Sequence, residues 1–467
     1  AGVTARPGTA EQSVACAINR AAAGRPVPGN KVDLLIDGPD TYAAMLELIA
    51  DAARWIHFEN YIIRSDAVGR RFAVALIERA RAGIRVRVLY DAIGSLYTSR
   101  ALWRDLRRSG VEVRGFHPIR PLNLVTNFSR NHRKLVVADG ARSVIGGLCI
   151  GCEWTGEGHP DGQPWRDTAV RIAGPASAVL DQAFARTWGV AGGQLPDDNI
   201  AGRVTPEGQA EVRVIAGEPG RERTFRVIEL LTAGSIERLW ITDAYLVAPA
   251  RLLQGLRDAA KDGVDVRLLV PGSSDLPLVR NLSRIGYREL LRSGVRIYEW
   301  DGPMLHAKTI VADGRWVRVG SSNLNPSSLI GNYELDVLVE DLALGEAMER
   351  QFRLDIARSR EVTRRPVRGP RRISRALPTV LDHRDPDIAA ARYRRPRREV
   401  GRRAALALRT IAANARRSVF LPLMAIFVSL GVLFFVLPRV TAHVFGVICA
   451  WLAIGAGREA FRRRADR

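Results

Sequence analysis

Two of the four lysines and two of the seven histidines in this chain share one spacing, His-x-Lys-x-x-x-x-Asp. It comprises His132, Lys134 and Asp139 in "HRKLVVAD", and His306, Lys308 and Asp313 in "HAKTIVAD". An imidazole titrates near neutrality, so it can attack as a neutral base or deliver a proton as a cation. A lysine ammonium is a compact charge suited to a single phosphate oxygen, where an arginine fork demands a planar, bidentate partner. In a chain that otherwise uses arginine almost throughout, two lysines each two residues from a histidine point to phosphate chemistry.

The elements around the motifs can place these groups. In "HRKLVVADGARSVIGG" and "HAKTIVADGRWVRVGSSN" a β-rich run meets Asp-Gly and a second run follows, the signal of a hairpin. Alternation along a strand puts His132 with Lys134, and His306 with Lys308, on one face. Ser321 and Asn323 on the second return strand are also two apart. Asp139 and Asp313 belong to the motif and are carried with the catalytic set. Their odd offset of seven and their place in the turn nevertheless favour turn formation over direct chemistry. The repeat extends further. "RAGIRVRVLYD" at 81–91 echoes "KDGVDVRLLVP" at 261–271, and "RSGVEVRGF" at 108–116 echoes "RSGVRIYEW" at 292–300. Each is a helix end, a glycine stop and a β-branched strand, so an α/β unit is expected twice. The expected order is a flexible tail over 1–30, a first repeat over 31–195, a linker over 196–211 and a second repeat over 212–352.

The net charge of +21 resembles that of a nucleic-acid binder, but its distribution does not. Twenty arginines against six acids fall between 353 and 417, and residues 1–352, which hold both motifs, keep a net charge of only +3. A nuclease would carry cations around its active groove, so nucleic acid is not the expected partner. The basic segment 353–417 precedes two uncharged runs, Ser418 to Leu437 and Val440 to Gly457. The first is long enough to cross a bilayer of about 30 Å, and arginines flank both outer ends. A transmembrane hairpin over 418–457 with a basic tail over 458–467 is expected, both ends cytoplasmic; a buried hairpin in a soluble domain is the alternative. The first 29 residues hold no apolar h-region, so no signal peptide is expected there. The first residue is alanine rather than methionine, which leaves room for a segment upstream. Four scattered cysteines imply reduced thiols, and Cys149 with Cys152 lacks the two further ligands of a zinc site.

The duplicated motif with its trailing "GSSN" resembles the phospholipase D superfamily. "FENYII" at 58–63, "RNHRKLVVADG" at 130–140, "WRDTAVRIAGP" at 165–175 and "GSSNLNPSSLIGNYELDV" at 320–337 are similar to the bacterial cardiolipin synthase branch. The resemblance covers about residues 31–350. It implies two phospholipase D-like α/β/α repeats related by a pseudo-twofold axis, and a phosphohistidine intermediate. His132 is assigned to attack and His306 to acid/base work, an assignment that could be reversed. Lys134 and Lys308 would hold the phosphate oxygens, with Ser321 and Asn323 as further donors. An acid from the opposite half is expected on each imidazole, Glu334 on His132 and Asp167 on His306. One departure stands out: Cys149 occupies the position where the first half usually carries an asparagine, and a thiol is the poorer donor.

The resemblance implies a phosphatidyltransferase of the cardiolipin synthase type; no carboxylate cluster of metal-binding type accompanies the motifs and two ammonium groups take its place, so no metal is expected, and no cofactor. Phospholipid and an anionic membrane are its expected partners, and the inner membrane, with the catalytic part on the cytoplasmic face, its expected location. A monomer suffices because the duplication supplies both halves of the site. The apolar loop with Leu122, Leu124, Val125 and Phe128 before the first motif suits a lipid. Hydrolysis to phosphatidic acid is the nearest alternative, and a membrane-tethered nuclease a more distant one.

Overall fold

Each Asp-Gly pair makes a tight hairpin turn with left-handed backbone at both positions. In the computed structural model φ is 55° and 67° at Asp139 and Gly140, and 51° and 65° at Asp313 and Gly314. Two left-handed residues give the type of turn that matches the twist of the flanking strands. The first turn joins β5 (Leu135–Ala138) to β6 (Arg142–Gly146), and the second joins β12 (Thr309–Ala312) to β13 (Trp316–Gly320). The structure describes residues 10–118, 129–157, 162–196 and 201–363.

The first repeat continues through β1 (Val27–Ile36), β2 (Trp55–Asn60), β3 (Arg85–Asp91), β4 (Glu112–Phe116) and β7 (Thr168–Ala173). The second is built from β8 (Ala210–Gly217), β9 (Arg238–Thr242), β10 (Asp265–Pro271), β11 (Arg296–Trp300) and β14 (Glu334–Glu340), with β15 (Ser359–Glu361) added at its edge. All belong to one 15-stranded sheet in the order β15-β11-β10-β9-β12-β13-β14-β8-β1-β7-β6-β5-β2-β3-β4. Apart from β15, the order reads the same from both ends once each first-half strand is matched to its second-half counterpart. The seam is the antiparallel pair β1 and β8. The duplication is therefore a pseudo-twofold pairing of two sheets edge to edge.

The helices follow from the echoed segments. Asp66 caps helix Ala67–Arg81 by accepting from the Gly69 N–H at 2.9 Å, and Gly83 in left-handed backbone ends it before β3. Helix Ala250–Lys261, Gly263 and β10 repeat the glycine stop before the strand, while Pro249 at the start of this helix gives no side-chain cap. Alternation then sorts the core. Leu135 and Val137 face a core that runs across both repeats beneath helices Pro175–Val190 and Leu342–Ala357. Val136 and Ala138 face a separate core on the other side of the first repeat, and Ile310 and Ala312 its counterpart in the second. Full burial of a single such aliphatic side chain contributes about 1.5–3 kcal/mol.

Three boundaries differ from the sequence reading. The tail expected to be flexible contains helix Ala10–Ala22, because Ile18 and Ala22, four apart, share one face and bury against Ile215, Val227, Leu231 and Leu338 of the second repeat. The first strand begins at Val27, and the second repeat runs past 352 through the end of helix Leu342–Ala357 and β15. The expected hairpin 418–457, the basic tail 458–467, the basic segment beyond 363 and the apolar loop 119–128 lie outside the described residues. Among the described residues no helix is long and apolar enough to cross a membrane.

Candidate active site

Each histidine stands just before the strand that its motif opens, at the end of the sheet where the parallel strands β2, β3, β9 and β10 finish. Cross-repeat backbone pairing fixes the two segments against each other. The His132 N–H donates to the Tyr333 carbonyl at 2.9 Å and the Tyr333 N–H to the Arg130 carbonyl at 2.8 Å. Symmetrically, the His306 N–H donates to the Arg166 carbonyl at 2.7 Å and the Arg166 N–H to the Met304 carbonyl at 2.9 Å. The residues after Tyr333 and Arg166 are Glu334 and Asp167. The seam thus delivers each acid to the histidine of the other repeat.

His132 Nδ1 lies 3.1 Å from both carboxylate oxygens of Glu334, and His306 Nδ1 lies 2.7 Å from Asp167 Oδ2. An ionised carboxylate only accepts, so both Nδ1 atoms carry the proton and the lone pair of each neutral ring resides on Nε2. Both rings line one cavity of about 370 Å³, together with Tyr61, Tyr245, Trp154, Trp165, Cys149 and Asn323. Lys134 and Lys308 are fully buried, each donating to the carbonyl of its own histidine. Asn323 is buried; its Nδ2 reaches the Ser328 hydroxyl at 3.5 Å and its Oδ1 has no partner.

Three of the named residues do something other than touch phosphate. The Asp139 carboxylate accepts from the N–H groups of Ala53, Arg54 and Trp55 at 2.8, 2.7 and 2.9 Å. Asp313 accepts from Ile236, Glu237 and Arg238 at 2.9, 2.8 and 2.9 Å. Both stand at the far end of the hairpin strands from the histidines, so the motif aspartates hold the start of β2 and β9 rather than joining the reacting set. The Ser321 hydroxyl, expected as a phosphate donor, donates its one proton to Glu334 and accepts from the Leu335 N–H at 2.9 Å. It orients the acid instead.

The first repeat solves the same problem with different residues. Asp167 Oδ2 accepts from Trp154 Nε1 at 2.9 Å, the partner that Ser321 provides for Glu334. Trp154 is buried, and its ring also stands edge-on to His306 at 5.4 Å. Tyr61 and Tyr245 were missed. Their rings stand edge-on to His132 at 4.9 Å and His306 at 6.0 Å. Their position just past the ends of β2 and β9 in both repeats was the available signal. Arg133 turns away and donates to the main-chain carbonyls of Glu334, Ala183 and Gly217. His57 pairs with Asp181 in the core and His117 with the Ser129 carbonyl. Among the described residues no cluster of His, Cys, Asp or Glu has metal-binding form, and Cys149 and Cys152 are free thiols.

Burial dominates the electrostatics. It lowers the His132 pKa, with Lys134 and Lys308 adding to the effect against Glu334. Burial, then Lys308, pushes His306 down to about 4. Burial takes Lys308 down to about 8, with Lys134 adding to it, and lowers Lys134 as well. Burial also works against the ionised form of Asp167 and Glu334, but the facing histidines and lysines outweigh it and hold both below their ordinary values. Two buried lysines beside two imidazoles give a site whose field favours an anion.

Comparison with known proteins gives a consistent family. The family described as "Cardiolipin synthase, PLD-like domain" matches residues 45–188 and 227–356. The chain is 38% identical over 315 residues to the cardiolipin synthase of Geobacillus kaustophilus, covering 66% of this chain and 62% of that protein. It is 36% identical over 348 residues to cardiolipin synthase A of Pseudomonas aeruginosa, covering 74% of this chain and 70% of that protein. The chain thus spans somewhat under two thirds of the length of the first of these relatives. Among solved structures, the phosphatidylserine synthase of Haemophilus influenzae superposes with a TM-score of 0.60 at 16% identity, over 75% of this chain and 92% of that one, a likeness of fold alone.

Proposed function

This chain belongs to the cardiolipin synthase, PLD-like family, and on that premise we propose that it transfers a phosphatidyl group from one phospholipid to a hydroxyl of another. The observation that carries the reading is the pair of imidazoles facing one cavity, each with Nδ1–H bound to a carboxylate from the opposite repeat. In the first step His132 Nε2 attacks phosphorus, the bond to the departing headgroup oxygen breaks, and His306 supplies the proton to that oxygen. In the second, His306 takes a proton from the acceptor alcohol, whose oxygen attacks phosphorus and breaks the P–N bond, returning His132 to its neutral state.

Lys134 and Lys308 compensate the charge on the non-bridging oxygens in both steps. The anion also prepares the acid. His306 is neutral in the free site chiefly through burial and Lys308. A phosphodiester between the lysines offsets their field, so substrate binding draws a proton onto His306. Glu334 and Asp167 keep both rings in the Nδ1–H form and stabilise the imidazolium. The donor and acceptor are phosphatidylglycerol or a similar lipid, glycerol leaves, and the hairpin 418–457 with its basic flanks holds the catalytic part at the cytoplasmic face of the inner membrane. A single chain supplies the whole site.

The test is incubation of the purified full chain with labelled phosphatidylglycerol in vesicles. Cardiolipin and free glycerol are expected; phosphatidic acid alone would make the protein a hydrolase, and lipid left intact while DNA is cut would overturn the reading.

A further inference from the structure

Six of the largest exposed apolar side chains come from two segments that the pseudo-twofold axis exchanges: Ile93, Leu96 and Tyr97 after β3, and Leu276, Leu282 and Ile285 after β10. Tyr97 is 86% exposed and Ile285 75%. Both segments leave the end of the sheet that carries the histidines, and both are tied to the cavity wall. The Ser95 hydroxyl accepts from the Ile63 N–H at 3.1 Å and donates to the Tyr61 carbonyl at 3.1 Å. The Tyr245 hydroxyl donates to Asp275 at 2.8 Å, and Leu276 itself lines the cavity. Leu276 therefore stands at the cavity itself, and the other five exposed apolar side chains belong to the two segments, one from each repeat, that are tied to its wall.

The size of the cavity says what covers them. At about 370 Å³ it lies at the small end of sites for drug-sized ligands, enough for a phosphate and its alcohol but not for two acyl chains as well. Resting on the proposed function, the acyl chains of the substrate must remain in hydrocarbon while its phosphorus reaches His132 and His306. We propose that Ile93, Leu96 and Tyr97 with Leu276, Leu282 and Ile285 form an interfacial docking rim, which enters the bilayer around the cavity mouth so that lipid headgroups pass into the site without leaving the membrane. An amphipathic rim of this kind positions the catalytic end of the sheet toward the lipid surface.

The experiment compares the full chain with Leu96→Glu/Tyr97→Glu, and with Ile236→Glu/Leu342→Glu as a control. The control residues are also strongly exposed but stand at the opposite end of the sheet. Each protein is assayed on phosphatidylglycerol in vesicles and on dibutanoyl phosphatidylglycerol, which is monomeric in water. The rim variant is expected to lose at least about tenfold on vesicles while keeping its rate on the monomeric lipid, and the control to keep both. A rim variant that keeps its vesicle rate, or that loses both rates together, overturns the proposal. So does a rim variant that changes from oligomer to monomer in sedimentation with its vesicle rate unaltered, since a second copy would then cover the rim. A wild-type chain inactive on both lipids gives a different pattern, which refutes the transfer reading and the rim with it.

Discussion

Replacing Asp139 by alanine should cost stability and leave the chemistry standing. The carboxylate accepts three backbone N–H groups at 2.7–2.9 Å, those of Ala53, Arg54 and Trp55, and so anchors the turn that feeds β2. Hydrogen bonds to a charged acceptor contribute about 1.5–3 kcal/mol each when buried, and about 1 kcal/mol where solvent competes, as it does at Ala53 and Arg54. Asp139 also sits at φ 55°, a left-handed conformation that aspartate and asparagine tolerate and that costs alanine about 1 kcal/mol more. The expected total for Asp139→Ala is about 4.5–6 kcal/mol, and roughly half of that for Asp139→Asn, which keeps one acceptor and tolerates the backbone. A thermal melt should fall by several degrees for the alanine variant and less for the asparagine variant. Turnover of phosphatidylglycerol, assayed well below the melt, should stay within about threefold of the parent. A melt that does not move while turnover drops a hundredfold would refute the scaffold role and return Asp139 to the reacting set.

Three other outcomes follow from the site. Binding of dimethyl phosphate, which does not titrate near neutrality, should be accompanied by proton uptake as His306 moves up from about 4; calorimetry at pH 7 should give observed heats that vary with the ionisation enthalpy of the buffer, and observed heats equal in every buffer would contradict it. kcat/KM should fall as pH rises past about 8, where Lys308 in the free site loses its proton, while the corresponding limb of kcat moves higher because bound phosphate holds the ammonium; identical limbs would oppose this. Burial also gives His306 a sign in stability: its folded pKa lies below the unfolded value near 6.5, so the unfolded chain takes up the proton first and stability declines as pH falls from about 6.5 toward 4, a trend that His306→Gln should flatten in melts across that range.

The repeat, the hairpins and the side of the strand on which each His-Lys pair lies were legible because they depend on local rules: Asp-Gly turns, alternation and glycine stops after helices. The edge-to-edge pairing of β1 with β8 was not, since a register between strands some 180 residues apart leaves no local signal. Helix Ala10–Ala22 was missed for a related reason. Its alanine-rich composition reads as tail until Ile18 and Ala22 are seen against Val227 and Leu231. The pairing of each imidazole with an acid of the other repeat entered through family likeness, not through spacing. What makes it physically necessary is the pair of cross-repeat bridges at Asn131–Tyr333 and Arg166–Leu305, which no sequence pattern announces.

The two halves of the site are equivalent in architecture but not interchangeable in chemistry. Gly147 stands where the second repeat has Ser321, and a Cβ built there would lie 2.2 Å from Asp167 Oδ1. The shorter acid therefore needs the glycine, and without a serine beside it takes its donor from Trp154, whose indole also packs on His306. In the second repeat the longer Glu334 reaches past Ser321 and accepts from its hydroxyl, and among the described residues no indole stands against His132. Acid, neighbour and donor thus form a matched set in each repeat, and exchanging one member alone leaves either a clash or an unpaired carboxylate oxygen. The two rings consequently occupy unlike surroundings, His306 against Trp154 and Trp165 and His132 beside Tyr61. That difference suits a two-step transfer, in which one imidazole stays an unprotonated nucleophile while the other gains and loses a proton in every cycle.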